Sequence, residues 1–245
     1  MRAQEVRDTG LIEIPLYVDL TAVVVGALSG AVFAARKHFD VAGVLLIAAA
    51  TGLGGGVIRD VLLNVRPIAL VDSAYLVTVL TAAVVGFFFA GLVRRFTSPL
   101  MWIDAAALGL FTVVGVEKAL VGSVPVIPAV AVGVIAATGG SILRDMLSGD
   151  QPEVVRSGPW NAVAAIVGGI VYVMIARGLG MDRVVAEVAT IGTVLLTRLL
   201  SVYRGWETPV AHDFTYVMSR PIDRLRRRRL DDVNITSDEQ RGGAS

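Results

Sequence analysis

The chain contains no cysteine, so neither a disulfide framework nor a thiolate metal site can be built from it, and redox chemistry says nothing about its compartment. It has two histidines, His38 and His212. No apolar run sets a histidine beside a serine, carries a Gly-x-Ser-x-Gly turn or gathers metal ligands, which argues against an intramembrane enzyme. Charge is scarce as well. Charged residues are 18% of the 245 and hydrophobic ones 55%, with a mean hydropathy of +0.70, outside the usual balance of a soluble domain. No Asp or Glu stands at the centre of an apolar run.

What is present instead is apolar sequence in lengths that fit a bilayer. A spanning helix needs about 20 mostly apolar residues, and by that rule seven are expected: Leu16 to Ala35, Val41 to Leu63, Ser73 to Leu92, Leu100 to Leu120, Val124 to Leu147, Pro159 to Leu179 and Val184 to Tyr203. The connections between them are short, and none can hold a soluble domain. Met1 to Pro15 is a polar segment expected to be retained, because the apolar run after it is too long for a signal-peptide core.

The seven runs contain a duplication. Gly52-Leu53-Gly54-Gly55-Gly56-Val57-Ile58-Arg59-Asp60 returns as Thr138-Gly139-Gly140-Ser141-Ile142-Leu143-Arg144-Asp145, with Arg144 standing 85 residues after Arg59. The same offset links Asp19 to Asp104, Gly30 to Gly115, Val41 to Val126, Leu62 to Leu147 and Pro67 to Pro152, so half the chain is a diverged copy of the other. Residues 16–92 form one three-helix unit and 100–179 the other. Three crossings reverse the entry direction of the next unit, so the copies are expected as inverted repeats related by a pseudo-two-fold axis in the membrane plane. The fold expected is an all-α integral membrane protein of two inverted three-helix repeats, with an unrepeated seventh helix over 184–203 added at the edge.

Orientation follows the Lys and Arg of short loops. With the N-terminus outside, the cytoplasm receives Arg36, Lys37, Arg94, Arg95, Arg156 and the basic tail over 204–245. That predicts a multi-pass protein of the inner (plasma) membrane, N-out and C-in. Arg224, Arg226, Arg227, Arg228 and Arg229 read as an anchor attracted to anionic lipid, and Asp231 to Ser245 has the composition of a disordered tail.

Glycine inside a helix costs about 1 kcal/mol relative to alanine. Gly52, Gly54, Gly55 and Gly56, with Gly139 and Gly140 in the other copy, are therefore where spans two and five are expected to bend or unwind. Carbonyls freed in this way must face protein or water, where they could serve a monovalent cation together with the hydroxyls of Thr51, Thr138 and Ser141. The alternative is close packing, since Gly52 and Gly56 form a small-xxx-small pattern that lets helix backbones touch. The apolar run before Gly52 imitates a dinucleotide turn, but that turn needs glycine at Val57 and an alternation of strands and helices. Both are missing.

Arg59-Asp60 and Arg144-Asp145 lie inside apolar runs, where ionisable groups pair and mark pathways. The duplication suggests crossed partners, Arg59 with Asp145 or Asp60 and Arg144 with Asp60 or Asp145; the alternative is snorkelling to the interface. Asp19 and Asp104, at the start of the first helix of each copy, read as caps. Lys118, beside Glu117, is a candidate for gating, with a local ion pair as the alternative.

With both glycine stretches, both Arg-Asp pairs and the prolines after them, Pro67 and Pro152, the chain resembles the prokaryotic branch of the trimeric intracellular cation channel family over roughly Leu16 to Tyr203. The resemblance implies a homotrimer with one pore per protomer between glycine-kinked helices two and five, passing potassium or sodium. Ser141 in place of a third glycine is a departure that bears on how far helix five bends. No cofactor is expected beyond the permeant cation and bound lipid, and no nucleic-acid partner. The reading from another class is a secondary transporter of a small solute such as glycine, which would use the same repeats but rocks around a closed site, often with a coupling-ion carboxylate at the midplane.

Overall fold

A computed structural model of the chain describes residues 16–93, 98–155 and 160–206. Met1 to Pro15, the loop arginines Arg94, Arg95 and Arg156, and the tail with Arg224, Arg226, Arg227, Arg228 and Arg229 lie outside the described residues. All regular structure among the described residues is helical: α1 (Leu16–Arg36), α2 (Val41–Leu62), the short α3 (Ile68–Val71), α4 (Ser73–Val93), α5 (Ser98–Val121), α6 (Val126–Leu147), α7 (Asn161–Val173) and α8 (Arg183–Arg204). Six of these segments are long and apolar enough to cross a membrane, and Ser73–Phe88 of α4 is a shorter apolar helix. The expected ends fall within a few residues of the observed ones. The sixth run differs in kind, because α7 gives way to a π-helical turn over Met174–Gly178.

The duplication reaches down to the turns. Asp40 caps α2 by accepting from the Gly43 amide at 2.7 Å, as an N-cap carboxylate does. The residues that break the chain between helices recur at the same spacing: His38 has φ 62° and Ser123 φ 63°, Asn64 φ 54° and Gly149 φ 75°. Only Gly149 takes this left-handed conformation at no steric cost.

Packing yields two apolar cores, one centred on α1, α2 and α4 and the other on α5, α6, α7 and α8. Between them α2 packs against α6, while α8 lies on α5 and α7. At one end Lys37, after α1, forms an ion pair with Asp150, after α6. About a third of each side chain is exposed, so screening leaves the pair a contribution of about 0–1 kcal/mol. Lys37→Ala should therefore move the thermal midpoint only slightly, by an amount that vanishes in high salt.

Candidate functional site

Helices α2 and α6 keep α-helical hydrogen bonding through both glycine stretches, so the expected unwinding does not occur. Glycine here removes side chains rather than helical hydrogen bonds. A Cβ on Gly55 would lie 2.1 Å from the Ala136 carbonyl oxygen, and one on Gly140 would lie 2.3 Å from the Thr51 carbonyl oxygen. These two contacts are one contact seen from both copies, because Gly140 is the counterpart of Gly55 and Ala136 of Thr51. Gly54 against Leu143 and Gly139 against Ile58 form a second such couple. Gly52 backs onto Val23 and Ala27 of α1, whereas a Cβ on Gly56 would meet only an Arg59 nitrogen at 3.7 Å. The hydroxyls of Thr51, Thr138 and Ser141 donate within their own helices, to Ile47, Val134 and Thr138 carbonyls. The small-residue packing that permits backbone contact between helices is what these glycines provide.

Each copy closes an ionic cluster beside that crossing. In the first, Arg59 donates to Asp60 at 2.8 Å through Nε, and its two terminal nitrogens reach the Asp19 carboxylate at 3.3 and 3.4 Å. Tyr75 donates to Asp19 at 3.0 Å. Lys118 arrives from the other copy and donates to Asp60 at 2.9 Å, while the Ile68 amide binds the remaining Asp60 oxygen at 3.1 Å. Arg59 and Asp60 are fully buried and Lys118 nearly so. Two cations meet two anions, the balance a dry interior demands.

The second cluster repeats the plan with different parts. Arg144 binds Asp145 and Asp104, each at 2.9 Å, and the Glu153 amide takes the place of the Ile68 amide on Asp145 at 3.2 Å. At the position equivalent to Lys118 stands Phe33, whose ring lies 4.5 Å from the Arg144 guanidinium. The second cation comes instead from the unrepeated helix: Arg198 of α8 reaches Asp104 at 3.6 Å and Glu153 at 3.0 Å. Ser29 of α1 donates to Asp104 at 3.0 Å and Asn161 to Glu153 at 2.8 Å. This cluster is wetter, with the Asp104 side chain 19% and Glu153 47% exposed.

Three expectations change in consequence. The crossed pairing of Arg59 with Asp145 and of Arg144 with Asp60 does not occur; each arginine binds its neighbouring aspartate and the aspartate of its own first helix. Asp19 and Asp104 are acceptors for those arginines rather than caps, and pairing in the interior replaces snorkelling. Lys118 does not pair with Glu117, which binds Arg183 at 2.7 Å together with Glu187; successive residues of a helix point in different directions. Tyr75, Glu153, Asn161 and Arg198 are site residues missed from sequence. An ionisable residue inside the seventh run was the available signal for Arg198, whereas the others lie outside the duplicated motif.

Two small cavities flank the crossing. One, of about 10 Å³, is walled by Asp19, Gly52, Gly56, Arg59, Asp60 and Tyr75 among others. The other, of about 20 Å³, has Thr51, Asp104, Gly140, Ser141 and Asn161 in its wall. Gly54, Gly55, Thr138 and Gly139 line neither. A volume near 10–15 Å³ admits one water-sized particle, so each cavity has room for about one particle of that size. Among the described residues no group of three or more His, Asp or Glu side chains could hold a metal ion.

The chain is similar to known proteins in sequence and fold. A family model described as glycine transporter matches twice, over residues 16–91 and 101–177, one match per copy. A UPF0126 membrane protein of Vibrio cholerae is 36% identical over 198 residues, 78% of this chain and 79% of the relative. Among solved structures, the TRIC trimeric intracellular cation channel orthologue from Rhodobacter sphaeroides superposes with a TM-score of 0.71 at 36% identity, covering 78% of this chain and 97% of that one. A structure that describes the basis for conductance through TRIC cation channels gives a TM-score of 0.70 at 34% identity over 80% and 97% of the two chains.

Proposed function

The chain belongs to the prokaryotic branch of the trimeric intracellular cation channel family, the family whose sequence model is described as glycine transporter, and on that premise we propose that it is a channel for monovalent cations, potassium or sodium. The path runs beside the α2–α6 crossing of each protomer in a homotrimer. The observation that carries this reading is the pair of small cavities along α2, each with polar side chains in its wall, one beside a cluster of two cations and two anions and the other beside Arg144 and Arg198 against Asp104, Asp145 and Glu153. A permeant cation there meets oxygen beside charges that balance in the first cluster and leave one carboxylate in excess in the second.

The reciprocal contacts Gly55 to Ala136 and Gly140 to Thr51 support two copies related by a pseudo-two-fold axis, since two-fold contacts are made in equivalent pairs. The Lys37–Asp150 pair requires an even number of crossings between those residues. With α2, α5 and α6 as three of them, α4 supplies the fourth, which supports seven spans and inverted repeats. Loop charge supports an N-terminus outside and a C-terminus in the cytoplasm of an inner-membrane protein, with the basic tail drawn to the lipid surface.

Purified protein in planar bilayers should give discrete unitary currents in potassium chloride that reverse at the cation potential. The second reading, transport of a small solute such as glycine, draws on the family description. Against it, each buried carboxylate beside the crossing is already bound to Arg or Lys, leaving no free coupling-ion carboxylate. Saturable glycine uptake without unitary events would favour it and overturn the channel.

A further inference from the structure

We infer that the larger cavity is a binding site for one dehydrated monovalent cation, built from the oxygens of Thr51, Asp104, Ser141 and Asn161. The hydroxyl donors of its wall are already spent. Thr51 gives its hydroxyl hydrogen to the Ile47 carbonyl at 2.6 Å and Ser141 gives its own to the Thr138 carbonyl at 2.8 Å. Each hydroxyl oxygen therefore keeps only lone pairs for further use. Asn161 gives one N–H to Glu153 at 2.8 Å, which fixes the amide: the flipped form would set Oδ1 against a carboxylate oxygen. Its Oδ1 is buried and has no hydrogen-bond donor within reach, while the residue as a whole is 6% exposed. A buried acceptor left without a partner is costly, and a cation removes that cost. Asp104 contributes a carboxylate.

Size and charge set the class of ligand. About 20 Å³ suits a single particle of water size, which is close to the size of bare potassium. Asp104 already binds Arg144 and Arg198, and with Asp145 and Glu153 the cluster keeps a single negative charge in excess. That favours a monovalent ion over calcium or magnesium, which call for several carboxylates or a water shell. The other copy does not make this site, because Ala136 stands where Thr51 does, Gly56 where Ser141 does, and Leu76 where Asn161 does.

The inference rests on the channel reading for its role in conduction but not for binding, and the test separates the two. Thermal unfolding of the full chain in detergent is followed as potassium replaces N-methyl-D-glucamine at constant chloride. A ligand bound to the folded state raises the midpoint with a saturating dependence. The wild type should show that rise, and magnesium should not reproduce it. Asn161→Leu and Ser141→Ala should each raise the half-saturating potassium concentration on the order of tenfold, the loss of one ligand oxygen, with the midpoint in N-methyl-D-glucamine little changed. If Asn161→Leu does not fold, Ser141→Ala, the smaller change, decides. A wild-type midpoint indifferent to potassium, or potassium curves unchanged by the substitutions, overturns the site. Unitary currents with no such midpoint response would sink the site and leave the channel standing; the response without currents would do the reverse.

Discussion

Replacing Gly55 by alanine is expected to cost more than about 3 kcal/mol, at or above the upper end of ordinary overpacking. The same is expected for Gly140→Ala, whereas Gly56→Ala should be tolerated. The reason is the identity of the atom each new methyl meets. At Gly55 and Gly140 it is a backbone carbonyl of the facing helix, 2.1 and 2.3 Å away. No rotamer change relieves such a clash; the helices must separate, and the contacts along the whole crossing separate with them. At Gly56 it is the end of a flexible arginine at 3.7 Å, and alanine in a helix is favoured over glycine by about 1 kcal/mol. Thermal unfolding and size-exclusion profiles of the three variants in detergent would check this. A hinge account predicts the opposite for Gly56, because it asks every glycine of the stretch for flexibility. Equal damage from all three substitutions would therefore refute the packing account.

Removing Arg59 should have the largest effect among the ionic residues. Arg59→Ala leaves Asp19 and Asp60 buried with one cation, Lys118, to balance both. Breaking a buried pair by deleting one partner costs about 3–5 kcal/mol, a large part of an ordinary stability of 5–15 kcal/mol, so the variant should fail to accumulate as folded protein. Lys118→Met should cost less, since Asp60 keeps Arg59 and the Ile68 amide. Adding Asp60→Asn to Lys118→Met restores neutrality and should recover part of the loss, a coupling that a double-mutant cycle measures. Arg198→Ala should cost least, because Glu153 is half exposed and Asp104 partly so, and water replaces part of the lost interaction. An Arg59→Ala variant that unfolds at the wild-type temperature would show that charge balance does not hold this cluster together.

Much of the architecture was legible from two one-dimensional signals. Run length and hydropathy located every long helix because a bilayer imposes one length on every span. The 85-residue offset announced two equivalent ionic clusters, since a duplicated Arg-Asp pair in apolar sequence has few other uses. The glycines misled for a definite reason. A run of glycine is equally what a broken helix needs for its dihedral freedom and what a touching helix needs for its lack of side chain. Composition is identical in the two cases, and only the position of the facing carbonyl separates them. The crossed pairing failed because equivalence between copies says that two contacts match, not that they exchange partners.

The sequence by itself determined that this chain lives in a membrane, that it is two copies of one helical unit, and that each copy carries a buried arginine that must be neutralised. Tertiary structure decided what neutralises it: Asp19 and Tyr75 with a lysine lent by the other copy in one case, Asp104 with an arginine from the unrepeated helix in the other. Hydropathy and periodicity act along the chain, where every neighbour is known in advance. Charge pairing and oxygen lining act across space, between residues such as Asp104 and Arg198 that nothing but the packing of helices brings within reach.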